Sequence, residues 1–295
     1  MKYHFSPAAD SQKLRQAIEE LYGPQAAMDQ AARYEKALSG LEAAFGPYDQ
    51  AAVFSAPGRT EIGGNHTDHQ RGRVLAGSVN LDVIAAVAPN GERIIRIQSE
   101  GFPMDVVDLD DLSVREEERN TSASIIRGIA AWFAQHGCEV EGFNAYTTSN
   151  VLKGSGLSSS AAFEVLVANI INSLFNEDKC DAVRLAQIGQ YAENVYFGKP
   201  SGLLDQMASS VGGMVTIDFQ DNANPIVERV DYDFGASGHA LCIIDSGADH
   251  ADLTDEYAAV TRELKEICAH FGKDVLREIP EEDFYAALPA LRLKA

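Results

Sequence analysis

The stretch KGSGLSSSAAFE, Lys153 to Glu164, constrains the fold more than any other part of the sequence. It follows GFNAYTTSN, whose residue types are typical of a strand, and it precedes apolar residues at helical spacing from Phe163 to Leu174. A strand, a glycine-rich loop and a helix in that order can bind an anion, because the first helical turn leaves backbone N–H groups unpaired. The sequence therefore predicts a phosphate-binding loop.

The residue types in this loop suit a phosphate. Glycine lets the backbone approach a ligand without a Cβ clash, serine hydroxyls donate hydrogen bonds, and a lysine adds positive charge. The alternative is an ordinary helix with a serine cap, and the loop matches neither the Walker A pattern nor a nucleophile elbow. We expect the phosphate of ATP to contact Lys153, Gly154, Ser155, Gly156, Leu157, Ser158, Ser159 and Ser160.

The rest of the chain indicates a mixed α+β fold, in which helical stripes and short apolar runs interleave without a regular βαβ repeat. The sequence PNGE at 89–92 lies between two strand-like runs and predicts a hairpin. DYDFG at 231–235 predicts a turn. Strands are expected at AAVFSAPGR, RVLAGSVNLDVIAAVAP, RIIRIQSE, GGMVTIDF and ALCIIDSG, and helices near 14–21, 34–45, 122–137, 181–197 and 254–272.

Composition excludes several classes of partner. With 44 acidic and 24 basic residues the formal charge is −20, so the surface repels nucleic acid and anionic membranes. The four cysteines are far apart, which argues against a disulfide framework and favours a reducing, cytoplasmic location. No apolar run reaches the roughly 18 residues that a membrane helix needs.

Four motifs in order resemble the galactokinases, members of the GHMP family of small-molecule kinases. LKGSGLSSSA is similar to the second GHMP motif, with Leu152 at its proline position, and APGRTEIGGNHTDHQRGRVL is similar to the galactokinase sugar motif. AENVYFGKPSGLLDQMASSVGG resembles the segment with the catalytic aspartate, and DEYAAVTREL the segment with a sugar-contacting tyrosine. The resemblance implies a two-lobed GHMP-like fold with mixed sheets and packed helices, divided here into residues 1–220 and 221–295.

The resemblance also implies a reaction, in which ATP phosphorylates galactose at its anomeric hydroxyl. Asp205 is implied to receive or orient the hydroxyl proton, and Arg59 to pair with Asp205 and the transferring phosphate. A nearby arginine favours an ionised aspartate, which is the form that accepts a proton. Sugar contacts are implied for Asn65, His66, Asp68, Gly202 and Tyr257, and Mg²⁺ ligands for Ser160 and Glu193.

One departure from the family pattern concerns the sugar. Asn65 lies where the family has glutamate, Glu61 where it has asparagine, and His69 where it has tyrosine. A neutral amide at position 65 would no longer repel a 6-carboxylate, so galacturonate is an alternative substrate. Two further alternatives stay open: HTDH at 66–69 as a metal centre, and a non-catalytic sugar sensor on the same fold.

The end of the sequence lacks an expected feature. GHMP kinases carry a third, glycine-rich motif that encloses the nucleotide phosphates, and nothing after Asp205 resembles it. We therefore expect an N-terminal portion of a longer kinase with an incomplete second lobe. Such a chain is expected to keep most of the sugar site but to turn over poorly, because water reaches its phosphate site.

Overall fold

A computed structural model of the chain describes residues 2–5, 11–151, 154–244 and 254–291. The chain divides into two compact units. Unit 1 comprises residues 1–59, 78–153 and 157–212, and unit 2 comprises residues 60–77, 154–156 and 213–295. The predicted division at 220/221 stays a prediction.

Unit 1 is built on a mixed sheet. Its strands are β1 (Lys2–Phe5), β2 (Ala51–Gly63), β3 (Arg73–Pro89), β4 (Ile94–Ser99), β5 (Asp105–Asp108) and β6 (Phe143–Ser149), in the order β1-β2-β3-β6-β4-β5. Strands β4 and β6 are parallel, and the other described pairs in this unit are antiparallel. The strand predictions for this part of the chain are confirmed.

The hairpin predicted at 89–92 is wrong. Strand β6 lies between β3 and β4 and pairs with both, so the PNGE segment crosses the end of β6. Its turn residues bond to the approach to β6: the backbone N–H of Asn90 donates to the Gly142 carbonyl at 3.2 Å, and the Gly142 N–H donates to the Glu92 carbonyl at 3.0 Å. The PNGE segment contains turn-forming residues, but β6, which is distant in the sequence, lies between β3 and β4.

Helices cover both faces of this sheet, as the alternation of strand β3 requires. Val83, Ala85 and Val87 face one apolar core, and Ile84 and Ala86 face a second. The first core packs under α3 (Ser122–Gln135), α4 (Ser159–Phe175) and α5 (Ala182–Tyr191), and the second under α1 (Ser11–Tyr22) and α2 (Ala27–Phe45). A π-helical turn, Ala192–Phe197, continues α5, and α6 spans Leu204–Val211.

The strand pairs of unit 2 are antiparallel. The first residues of β3, from Arg73 to Gly77, pair with β7 (Met214–Asp218), and β7 pairs with β8 (Ile226–Arg229). Helix α7 (Thr254–His270), a 3₁₀ turn at Leu276–Glu278 and α8 (Glu281–Leu291) follow. Helix α8 was not anticipated from the sequence.

Two predictions in unit 2 have different outcomes. The turn at DYDFG is confirmed, since residues 234–238 form turns. The strand predicted at ALCIIDSG is wrong for Ala240–Ile244, which form no strand; residues 245–247 lie outside the described part. The side chains of Ile243 and Ile244 are exposed. This apolar run therefore adds no strand to the β3–β7 and β7–β8 pairs. No helix among the described residues is long and apolar enough to span a membrane.

Candidate active site

Arg59 and Asp205 form a direct ion pair within unit 1. Arg59 lies near the end of β2 and is buried, and Asp205 lies in the first turn of α6. Both Nε and Nη2 of Arg59 lie 2.8 Å from Oδ1 of Asp205. A guanidinium that contacts one oxygen through two nitrogens fixes the orientation of the carboxylate more firmly than a single hydrogen bond does. The structure therefore brings together the two residues that were predicted as catalytic.

The end of the glycine-serine loop lies against strand β2. The backbone N–H of Arg59 donates to the Leu157 carbonyl at 3.0 Å. Gly58 permits this approach, because a Cβ there would lie 2.8 Å from the same carbonyl oxygen. Ser209 of α6 adds a hydrogen bond of 2.7 Å to the Pro57 carbonyl. Residues 57–59 are thereby held between the loop and the helix that carries Asp205.

Ser158 contacts Asp205 rather than capping its own helix. It precedes α4 with a left-handed backbone (φ +57°) and makes no side-chain cap hydrogen bond. Its hydroxyl donates instead to Oδ2 of Asp205. Left-handed backbone is costly for a residue with a Cβ, and such strain is concentrated at functional sites. Asp205 therefore has a partner on each oxygen, Arg59 on Oδ1 and Ser158 on Oδ2.

Behind α6 lies a buried network of two carboxylates and one amide. Gln206 Nε2 donates to Glu164 Oε2 and to Glu193 Oε2, each at 2.9 Å. Lys199 Nζ lies 2.8 Å from the other oxygen of Glu193. Burial, and then the nearby Glu193 carboxylate, raise the pKa of Glu164 well above its ordinary value. The network attaches α4 and the π-helical turn to the helix that carries Asp205.

This network has the donor types that Mg²⁺ prefers. Glu164 Oε1 and Gln206 Oε1 are buried and have no hydrogen-bond partner within the described part of the chain. The Lys199 ammonium already places one positive charge at Glu193, and its side chain is mostly exposed. Carboxylate, amide and hydroxyl oxygens are hard ligands suited to Mg²⁺. Glu193 thus fits a magnesium site chemically, and Ser160 offers an exposed hydroxyl in the first turn of α4.

The predicted sugar-binding residues at 65–68 lie in one tight loop of unit 2, residues 64–72, which we call the sugar loop. Gly64 has φ +80°, and a Cβ on it would lie 2.2 Å from the Arg73 carbonyl oxygen, so only glycine fits. The Thr67 hydroxyl contacts the Gly64 and Arg73 carbonyls at 3.0 and 3.2 Å. These bonds close the loop and present Asn65 and His66 beside Asp68.

The polar side chains of the sugar loop are close together. Asp68 is buried and accepts the His69 backbone N–H at 3.1 Å, and His69 Nδ1 lies 3.6 Å from Asp68 Oδ1. His66 Nε2 lies 3.2 Å from Glu61 Oε1. Ligand atoms of His66, Asp68 and His69 lie within 4.8 Å of one another. This compactness accommodates either vicinal sugar hydroxyls or the alternative metal centre.

The remaining predicted site residues lie outside the contacts given above, and some lie outside the described part of the chain. Lys153 is outside the described residues, and so is the side chain of Tyr257, although its backbone belongs to α7. Gly202 is half-buried in the loop before α6, and Asn65 is exposed. Gly154 and Gly156 both have left-handed backbone, with φ of +76° and +73°. Their conformation fits the predicted need for glycine.

Two known protein families match the chain, each in a region that contains part of the candidate site. Residues 124–213 match the GHMP kinases N terminal domain, and residues 41–89 match the galactokinase galactose-binding signature. The first match contains the loop and Asp205, and the second contains Arg59 and the sugar loop. The chain thus carries a GHMP kinase N-terminal domain and a galactokinase galactose-binding signature.

The similar proteins with curated names are galactokinases. It is 31% identical over 239 residues to the galactokinase of Streptomyces coelicolor, a match that covers 81% of this chain and 62% of the relative. It is 37% identical over 163 residues to the galactokinase of Lactobacillus helveticus, covering 54% and 42%. The chain therefore spans less than two thirds of the length of these relatives.

The fold agrees with a solved galactokinase. The crystal structure of Lactococcus lactis galactokinase complexed with galactose superimposes with a TM-score of 0.68 at 26% identity, covering 84% of this chain and 65% of that one. A D-glycero-D-manno-heptose 1-phosphate kinase from Bacteriodes thetaiotaomicron shares the fold at a TM-score of 0.51 and 21% identity. The α+β, GHMP-like fold prediction is confirmed.

Three residues of the candidate site were missed in the sequence: Glu164, Lys199 and Gln206. Glu164 was visible as a charged residue among apolar positions of a predicted helix, AAFEVLVANII. Charged residues are almost never fully buried unless they have a partner. That signal could have identified Glu164, whereas its partner on α6 depends on tertiary packing.

Proposed function

We propose that this chain carries the sugar- and ATP-binding residues of a kinase that phosphorylates galactose at the anomeric hydroxyl. The observation that carries the proposal is the ion pair of Arg59 with Asp205, whose second oxygen accepts the Ser158 hydroxyl. An oriented carboxylate next to an arginine and a phosphate-type loop suits transfer of a phosphoryl group to an alcohol.

In this proposal Asp205 orients the attacking hydroxyl and receives its proton. The sugar oxygen forms a bond to the γ-phosphorus of ATP, the bond from that phosphorus to the β,γ-bridging oxygen breaks, and ADP leaves. Arg59 stabilises the charge on the transferring group, and backbone N–H groups of the loop at 154–160 hold the phosphates. The sugar loop holds the substrate through His66 and Asp68.

We propose Ser160 and Glu193 as the residues that hold Mg²⁺. The ion would neutralise charge on the β- and γ-phosphates. Lys199 would leave Glu193 when the ion binds, which its exposed side chain permits. Gln206 would keep Glu193 oriented through the hydrogen bond to Oε2.

Galacturonate is the second candidate substrate, because Asn65 is an exposed, neutral residue of the sugar loop. An amide can donate to a carboxylate as well as accept from a hydroxyl. The two sugars differ only at carbon 6, so a comparison between them tests how the site recognises the substituent on that carbon.

The test is ADP release from ATP and Mg²⁺ with a panel of hexoses and uronic acids, at high protein concentration. Galactose-dependent ADP release would support the proposed kinase activity. A sugar phosphate product that does not react in a reducing-sugar assay would support phosphorylation at the anomeric hydroxyl. Faster release with galacturonate would transfer the proposal to that sugar. Sugar binding without any ADP release would favour the sensor alternative.

A further inference from the structure

Arg277 bonds to the backbone of the sugar loop from a distant part of unit 2. It lies in the 3₁₀ turn Leu276–Glu278, and its Nη1 donates to the Arg71 carbonyl at 2.7 Å. The same guanidinium holds Asp218 at the end of β7: Nη2 donates to Oδ2 at 3.0 Å, and Nη1 donates to Oδ1. One side chain thus joins the sugar loop to a strand end.

The residue before Arg277 makes a second contact with the loop. The Leu276 backbone N–H donates to Gln70 Oε1 at 2.9 Å, and the buried Cys268 thiol lies 3.5 Å from the same oxygen. Gln70 and Arg71 are two and three residues beyond Asp68, which itself sits in the 3₁₀ turn Asp68–Gln70. Leu276 and Arg277 therefore contact the sugar loop close to Asp68, the residue proposed to contact the sugar.

Asp218 holds the Arg277 guanidinium in place through an ion pair. Its carboxylate also accepts Arg73 Nε at 2.7 Å, and the two arginines lower the pKa of Asp218, with Arg277 contributing most. Arg73 is largely exposed, whereas Asp218 and Arg277 are mostly covered. A planar guanidinium can meet a carboxylate with two nitrogens and still donate to a carbonyl, which a lysine ammonium cannot reproduce.

We propose that Arg277 is a positioning residue that holds the sugar loop in its sugar-binding conformation through the Arg71 carbonyl and Asp218. The assignment of a sugar to this loop rests on the function proposed above. A preorganised loop loses less freedom when the sugar binds, so a released loop binds the sugar more weakly. The nucleotide-binding residues are not part of this contact.

The experiment compares Arg277→Ala and Arg277→Lys with a control, Arg73→Ala. The control removes the other, exposed partner of Asp218 and leaves the Arg71 carbonyl contact in place. Amide hydrogen exchange is followed at Thr67, Gln70, Arg71 and Gly72, whose N–H groups all donate within the loop. Calorimetry gives the Kd of galactose and of a non-hydrolysable ATP analogue, and a melting scan gives Tm.

We expect Arg277→Ala to accelerate exchange at these amides and to weaken galactose binding about tenfold, with the ATP analogue unchanged. Arg277→Lys keeps the charge, restores part of both losses, and serves in place of Arg277→Ala if that variant does not fold. Arg73→Ala stays near wild type. Unchanged exchange at the loop amides, or an equal loss of both ligands, would overturn the proposal. If the wild-type chain binds no galactose, the proposed function fails, and loop exchange alone then decides the role of Arg277.

Discussion

The Ser158 hydroxyl donates a hydrogen bond to the Asp205 carboxylate, although Ser158 occupies the position where a serine normally caps its own helix. The residue adopts left-handed backbone, which glycine tolerates better than serine. The sequence thus keeps a strained serine where glycine would fold more easily. A contact with Asp205 is a physical reason to keep it.

Substitution of Ser158 separates these two effects. Ser158→Gly removes the hydroxyl and relieves the left-handed strain, so we expect it to be more stable than Ser158→Ala by about 1 kcal/mol. Both variants should lose turnover to a similar extent, about tenfold, because both lose one hydrogen bond to Asp205. Thermal unfolding and ADP release measure the two effects. Equal stability with full turnover would contradict the role given to Ser158.

Glu164 predicts a specific dependence of stability on pH. Its pKa is raised in the folded state, so its contribution to stability is complete below its ordinary pKa and is lost as pH rises through the folded pKa. Glu164→Gln removes this loss, and the gain in Tm of the variant over wild type should therefore grow between pH 5 and pH 8. Glu141→Gln, at an exposed position, is the control. A gain that is constant with pH would show that Glu164 is ionised throughout.

Gly156 allows a test of the phosphate-binding loop. Gly156→Val places a branched side chain where the backbone is expected to meet the phosphates, so binding of an ATP analogue should be lost. Gly137→Val is the matched control, because Gly137 has a similar left-handed φ (+70°) and open space around its Cβ position. Both variants carry the same backbone strain, and calorimetry with the analogue separates them. Equal affinity in the two variants would mean that the backbone at Gly156 does not contact the nucleotide phosphates.

Asn65 predicts the relative use of two sugars. Asn65→Glu introduces a negative charge at an exposed loop position, so we expect it to disfavour galacturonate by about tenfold relative to galactose. Galactose should bind at least as well as in wild type. Competition calorimetry with both sugars gives the ratio. An unchanged ratio would place carbon 6 of the sugar away from Asn65.

Much of the fold follows from local sequence. Apolar spacing from Phe163 to Leu174 predicts α4, and the alternation of Val83 to Val87 explains why helices cover both faces of the sheet. Strand order could not be read in this way, because the turn residues at 89–92 carry no information about β6 inserting between their neighbours.

The candidate site was predictable only in part. The pairing of Arg59 with Asp205 came from resemblance to a family, since the two residues are 146 positions apart. The bridging amide of Gln206 and the loop contact of Arg277 came from the structure alone. Both depend on which elements pack together, and no local pattern marks a glutamine or an arginine for such a contact.

The most direct test of the central claim measures galactose-dependent ADP release and galactose affinity together, for wild type, Asp205→Asn and the exposed control Asp29→Asn. In Asp205→Asn the side chain keeps the shape of aspartate but accepts no proton. Turnover should therefore fall about 10²-fold or more, while the galactose Kd stays close to wild type. Asp29→Asn should match wild type in both. Near-normal ADP release by Asp205→Asn would contradict the account, because the carboxylate held by Arg59 and Ser158 would then have no part in phosphoryl transfer.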